Sequence, residues 1–209
     1  MPYRALASLS LAALLVLASA PAQAEEDEPV AARGVQVGVG SGVFFVPRYE
    51  GPFASADVQA SVPVAIDVGV FVSRNIELGG FGQIAAVLTP RDHDPPYGHA
   101  DGLDARFGGT LRYHAAPRAR FDPWVGFSLG VETFSMDRGD VKGVGVLGLA
   151  LAGFDWRVTD HFAFGPQIGG GPTVGSSTWI LHTHGGDLST ASAFGMLSGS
   201  LGARAIVSF

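Results

Sequence analysis

Between Asp57 and Val72 the chain alternates without a break. Val58, Ala60, Val62, Val64, Ile66, Val68, Val70 and Val72 hold every second position, with Asp57, Gln59, Ser61, Pro63, Ala65, Asp67, Gly69 and Phe71 between them. A period of two places the first set on one face of a strand and the second on the other; helical spacing would scatter both around an axis. The β-branched content points to the same extended conformation. The parity also predicts which substitutions matter. Val68→Arg, on the apolar face, costs about 2–4 kcal/mol near mid-membrane, and Gly69→Ser, on the other face, costs much less.

The alternation recurs along the chain. Val35, Val37, Val39, Val43 and Phe45 alternate with Gln36, Gly38, Gly40 and Gly42. Ile76, Leu78, Ile84 and Leu88 oppose Glu77, Gly79 and Gln83. Ala105, Phe107, Leu111 and Tyr113 alternate with Arg106, Thr110, Arg112 and His114, and Val125, Phe127, Leu129 and Val131 with Gly126, Ser128, Gly130 and Glu132. Val144 to Trp156 is blurred, because Leu147, Leu149 and Leu151 fill the parity that reads as inward; Phe162 to Pro172 is glycine-rich and weak. The end is clear again: Leu197, Leu201, Ala203, Ala205, Val207 and Phe209 against Ser198, Ser200, Gly202, Arg204 and Ser208. That makes about eight strands, each near or above the roughly 9–11 residues that a tilted transmembrane strand needs.

The connections alternate in length. Pro47 to Ala56, Thr89 to Asp104 and Val174 to Thr190 read as long and Met136 to Gly143 as medium, while Ser73–Asn75, Ala116–Arg120 and Arg157–Asp160 are short. An up-and-down meander with one short-turn rim and one long-loop rim produces this rhythm, and transmembrane barrels have that form. Aromatic residues gather near strand ends (Phe44 and Phe45, Phe71, Phe107, Tyr113, Phe121 and Trp124, Phe134, Phe154 and Trp156, Phe162 and Phe164, Phe194, Phe209), which predicts two interfacial girdles. Pro63, Pro123, Pro166 and Pro172 lack a ladder donor and are expected at bulges or strand rims.

Composition narrows the picture. Hydrophobic residues make up 47% and charged residues 15%, below the quarter or so usual for soluble domains. With a net charge of -6 there is no basic footprint for nucleic acid. Cysteine is absent, which removes disulfides, thiolate catalysis and cysteine–zinc sites. Arg4 followed by the apolar stretch Ala5 to Ala18 has the form of a signal peptide, and Ala22-Gln23-Ala24 supplies the small-x-small cleavage pattern. The expected organisation is a signal peptide over residues 1–24, a short acidic lead-in over 25–33 that opens with "EEDEP", and a barrel over 34–209. The chain is expected to be exported to the cell outer membrane.

The Ala-Gln-Ala site, the alternating strands, the segment "GFDWRVTDHFAFGP" (Gly153 to Pro166) and the terminal "GARAIVSF" together resemble the small eight-stranded outer-membrane β-barrels of the OmpA/OmpX type. The resemblance covers essentially the whole mature chain. It implies an all-β fold, an eight-stranded up-and-down antiparallel transmembrane β-barrel, with no room for the peptidoglycan-binding domain that some relatives carry. It also implies that the last strand is an assembly signal read by the barrel-assembly machinery, with Phe209 as its closing aromatic and Ala203, Ala205 and Val207 on the same outward face. Outer-membrane lipid is the other expected partner, and a monomer the expected state.

The inward parity carries Asp67, Glu77, Arg106, Arg112, Glu132 and Arg204. Buried charges need partners. Arg106 and Glu132 fall opposite each other across the Ala116–Arg120 hairpin. Such a network is either an ion-pair gate across a narrow channel or a plug that satisfies its own polar groups; eight strands leave an interior that side chains fill, which favours the plug. His93 and His99, beside Asp92, Asp94, Asp101 and Asp104, and His182 and His184 offer metal-ligating groups. They are spread over two loops, so the expectation is solvated loops with no metal and no cofactor. Arg138-Gly139-Asp140 is a three-residue, adhesion-like match of the kind expected by chance. Lipid A deacylases among such barrels use a His-x-Ser pair with an acid. Here His182 is followed by Thr183-His184 and His161 by Phe162-Ala163, so the motif is missing and no catalytic residue is expected. The expected role is non-enzymatic: membrane integrity or surface interaction through displayed loops, or alternatively a narrow channel for small solutes or ions.

Overall fold

The computed structural model describes residues 34–50, 55–88, 102–117, 119–136, 141–183 and 186–209. They form eight strands: β1 (Val35–Glu50), β2 (Ser55–Phe71), β3 (Ile76–Leu88), β4 (Gly102–His114), β5 (Phe121–Met136), β6 (Val141–Arg157), β7 (Phe162–Thr183) and β8 (Gly186–Ser208). Each pairs antiparallel with the next, and β8 returns to β1 to close the barrel. The expected signal peptide and lead-in lie outside the described residues.

The ladders fix the barrel's shape. A path perpendicular to the strands runs from Val35 through Val70, Leu78, Leu111, Phe127, Ala150, Gly170 and Gly199 and re-enters β1 at Phe45, a stagger from position 35 to position 45. At about 3.3 Å per residue along a strand and about 4.8 Å between strands, that stagger tilts the strands by about 40° and leaves about 2.5 Å of axial rise per residue. The outward face of β7 is free of polar side chains from Phe162 to Val174 and then carries Ser176 and Thr178; its partner β6 passes from Val144 to exposed Lys142. The apolar band is therefore about 30 Å tall, close to the hydrocarbon thickness of a bilayer. Val64, Ile66, Ile84, Leu129, Ile168 and Leu201 are among its exposed side chains. Water would be a poor solvent for this surface, and a closed ladder is what hydrocarbon demands of strands. The barrel therefore spans a membrane.

Several details differ from the expectations. The Val174–Thr190 segment is not a long loop, because β7 runs to Thr183 and β8 starts at Gly186. β1 and β2 likewise extend into the expected Pro47–Ala56 loop, β4 opens at Gly102, and β6 opens at Val141. Strands continue past the apolar band because ladder hydrogen bonds cost nothing extra outside the membrane, whereas hydropathy stops signalling them there. The glycine-rich Phe162–Pro172 stretch is regular strand. The prolines produce no bulges: each ladder keeps one register throughout. Pairing is instead interrupted beside Pro63 in β1–β2 and beside Pro166 and Pro172 in β6–β7, as the missing N–H requires. Pro123 does lie near a rim.

The girdles also need correction. Phe45, Phe107, Tyr113, Phe121, Phe154, Phe162, Phe164 and Phe209 are exposed on the outer surface. Phe44, Trp124, Phe134 and Phe194 are buried, on the inward parity. Closeness to a strand end in the sequence does not say which face a ring occupies; parity does. The blurred β6 resolves the same way, with Leu147 and Leu149 buried inside.

Candidate functional site: the charged lumen

Near the short-turn rim, six strands contribute to one buried network. Asp67 comes from β2, Glu77 from β3, Arg112 and His114 from β4, Asp122 from β5, Asp155 from β6 and Arg204 from β8. Arg112 Nη1 donates to Asp67 Oδ2 at 3.0 Å and to Glu77 Oε1 at 2.9 Å. Arg204 grips Asp155 with two donors, Nε to Oδ1 at 3.1 Å and Nη2 to Oδ2 at 2.6 Å, and its Nη1 lies 3.7 Å from Asp67 Oδ2. His114 stands between two carboxylates, with Nε2 2.9 Å from Glu77 Oε2 and Nδ1 2.7 Å from Asp122 Oδ2. Asp122 Oδ1 accepts from the Ala116 backbone N–H at the turn. The Trp124 indole donates to Asp155 Oδ1 at 3.2 Å, and the guanidiniums of Arg204 and Arg112 lie over its ring, 4.6 and 5.3 Å from the centroid. Glu77 is 0% exposed and Trp124 1%.

Two glycines make room for these acids. A Cβ on Gly69 would sit 2.0 Å from Glu77 Oε1, and one on Gly38 2.5 Å from Asp67 Oδ1. The expectation that Gly69 tolerates a serine therefore fails. Facing inward is not the same as facing space when a carboxylate occupies it.

A second, smaller cluster lies toward the loop end. Arg106 Nε donates to Glu132 Oε1 at 2.8 Å, and its Nη2 pairs with both Glu132 and Asp104. The Phe44 ring lies 3.5 Å below the guanidinium. Arg106 and Glu132 are direct ladder partners, as the hairpin spacing predicts. Asp104 belongs to β4 and this ion pair, not to a loop metal site. A double-mutant cycle reads the pairing: Arg106→Met or Glu132→Gln alone should each cost about 3–5 kcal/mol, and the double variant less than the sum, because a lone buried charge is the costly state. Strict additivity in detergent unfolding would reject it.

Between the clusters lies a cavity of about 80 Å³, bounded by Phe44, Pro63, Ala65, Gln83, Leu149 and Leu151 among others. At about 30 Å³ per molecule it has room for two or three waters. Above it, Phe134 and Phe194 meet edge to face with centroids 5.5 Å apart.

The six charged residues expected on the inward parity are thus all buried and paired, but in two groups: Asp67, Glu77, Arg112 and Arg204 below, Arg106 and Glu132 above. The sequence reading leaves out His114, Asp122 and Asp155 and places Trp124 in a girdle. His114 lies on the inward parity, and Asp122 and Asp155 sit near strand ends where alternation is too short to read. His93, His99, His184 and the Arg138-Gly139-Asp140 run lie outside the described residues. His182 lies in β7 opposite Asp187. Among the described residues His114, Asp122 and Asp155 lie close enough to hold a metal ion. Both imidazole nitrogens and both Asp155 oxygens are already engaged within the protein, so the donor set is not free for one. At the terminus, the backbone N–H of Phe209 donates to Val35 O at 3.0 Å, closing the β1–β8 seam, and the residue, on the outward parity, is exposed.

No protein-family model and no curated protein matches this chain. Solved structures do. Neisserial surface protein A is 15% identical with a TM-score of 0.56, over 84% of this chain and 97% of its own. The outer membrane protein OprG from Pseudomonas aeruginosa is 11% identical with a TM-score of 0.54, over 83% and 95%. The outer membrane protein AlkL in lipid bilayers is 18% identical with a TM-score of 0.54, over 91% and 96%. With the closed ladder and the apolar outer band already in hand, these likenesses identify the fold: an eight-stranded antiparallel β-barrel of the kind found in outer-membrane proteins.

Proposed function

We propose that this chain is a non-enzymatic outer-membrane barrel whose lumen is plugged, so that its work is done by its surface: membrane integrity, or contact through the loop rim and the β7–β8 hairpin. One observation carries this reading. The Asp67–Glu77–Arg112–His114–Asp122–Asp155–Arg204 network ties six of eight strands together across the lumen. Opening it would leave several charges unpaired in a poorly solvated interior, which is costly. The expected result in planar bilayers is no stable single-channel conductance. Steady unitary currents from the purified barrel would overturn the plug and favour the second reading, a narrow channel, for which the central cavity is the supporting feature.

The terminal strand is proposed as the assembly signal, through Ala203, Ala205, Val207 and Phe209. Burying one interfacial aromatic is worth about 1.5–3 kcal/mol, small for a whole barrel. Deleting Phe209 should therefore lower outer-membrane yield in cells and still permit refolding in detergent. Unchanged yield would sink the assembly role; failure to refold would assign Phe209 to stability instead.

A further inference from the structure

On the lipid-facing surface, at the short-turn rim, Phe121, Trp156 and Phe164 occupy directly paired positions on β5, β6 and β7. Their rings form one continuous patch: Phe121 stacks on Trp156 at 5.7 Å, Trp156 meets Phe164 at 5.4 Å, and Phe162 lies 6.4 Å from Phe164. Arg120 hangs from the adjoining turn, exposed, with its guanidinium over the Trp156 ring at 5.8 Å. No carboxylate pairs with Arg120 among the described residues. The Trp156 Nε1–H is sheltered from water and has no hydrogen-bond partner there either. Arg157 holds the turn in place, its backbone N–H donating to Arg120 O at 2.9 Å and its Nη2 to Pro117 O at 2.6 Å.

An exposed guanidinium held over an aromatic patch at the edge of the apolar band lacks one thing: an anionic acceptor at headgroup depth. The Trp156 ring is the shelf that holds the guanidinium at that depth, its own N–H being covered. A guanidinium matches phosphate oxygens in geometry as well as charge. The surface faces the bilayer, so its occupant is a lipid. We propose that Arg120, held over the Trp156 ring, binds the phosphate of a phospholipid in the leaflet at the short-turn rim, its acyl chains lying along the Phe121–Phe164 patch. The proposal rests on the membrane reading above.

The test uses the full barrel inserted into phosphatidylcholine vesicles doped with phosphatidylglycerol, then transferred to detergent for native mass spectrometry. The wild-type protein should keep one phosphatidylglycerol. Arg120→Gln should lower retention about tenfold, the worth of one charge-assisted hydrogen bond, and Trp156→Leu, which removes the aromatic shelf under the guanidinium, about threefold. Arg120→Lys should recover part of the loss. Added inorganic phosphate should not displace the lipid. Equal retention in wild type and Arg120→Gln would overturn the site, and displacement by inorganic phosphate would make it a site for the free ion instead. Failure of the wild-type protein to enter vesicles at all would count against the membrane reading, and heat-modifiable gel mobility separates that outcome from loss of lipid.

Discussion

Arg112→Ala should destabilise the refolded barrel by about 3–5 kcal/mol, the range for removing one partner of a buried ion pair. Among the described residues the guanidinium is the only group that joins Asp67 to Glu77, at 3.0 and 2.9 Å, and Glu77 is fully buried. Without it, Glu77 keeps only His114, and Asp67 keeps only the 3.7 Å approach of Arg204. Pairing the change with Glu77→Gln should recover much of the loss, since the costly species is the uncompensated carboxylate and not the missing attraction. Denaturant unfolding in detergent or lipid measures both. A double variant as unstable as Arg112→Ala would mean that the arginine acts through packing on Trp124 instead of through charge.

Ile66→Arg should cost about 2–4 kcal/mol, and Val72→Arg, on the same face at the short-turn rim, no more than about 1 kcal/mol. Ile66 lies at the centre of the outward run from Ala60 to Val72 and is 54% exposed, so in a bilayer its side chain meets hydrocarbon. The cost comes from moving a charge to that depth, and near the rim the long side chain can reach the headgroups. The two variants share a face and a chemistry and differ in depth. Equal losses at both positions would mean that the apolar face is not in a membrane.

The lumen has a parallel lesson in its glycines. Gly69 looks permissive in the sequence, because its neighbours on the same face are polar or small. Its Cβ position is already taken by the Glu77 carboxylate from the next strand. Sequence parity assigns a face, and the occupancy of that face is decided by residues that are distant in the chain.

The same division holds for the molecule as a whole. The unbroken alternation of Val58 to Val72 and the lipid-facing parity of the last strand were legible in the sequence, because side-chain direction in a strand depends only on odd and even position. The Arg106–Glu132 pairing was legible too, because a short hairpin fixes register locally. What the sequence could not supply was anything set by successive registers or by closure. Arg204 meets Asp155 across β7, and Arg112 meets Asp67 across β3, where two successive registers must add, and Arg204 approaches Asp67 only because the ladder returns from β8 to β1 with a fixed stagger. The split of the charges into two clusters and the upper ends of β7 and β8 depend on the assembled sheet or on hydrogen bonds outside the membrane, where hydrophobic alternation is no longer under selection by lipid; the inward turn of Phe44, Trp124, Phe134 and Phe194 follows parity. One-dimensional periodicity thus determined that this is a membrane-spanning barrel and which side chains face lipid; only the closed sheet decided which buried charges meet.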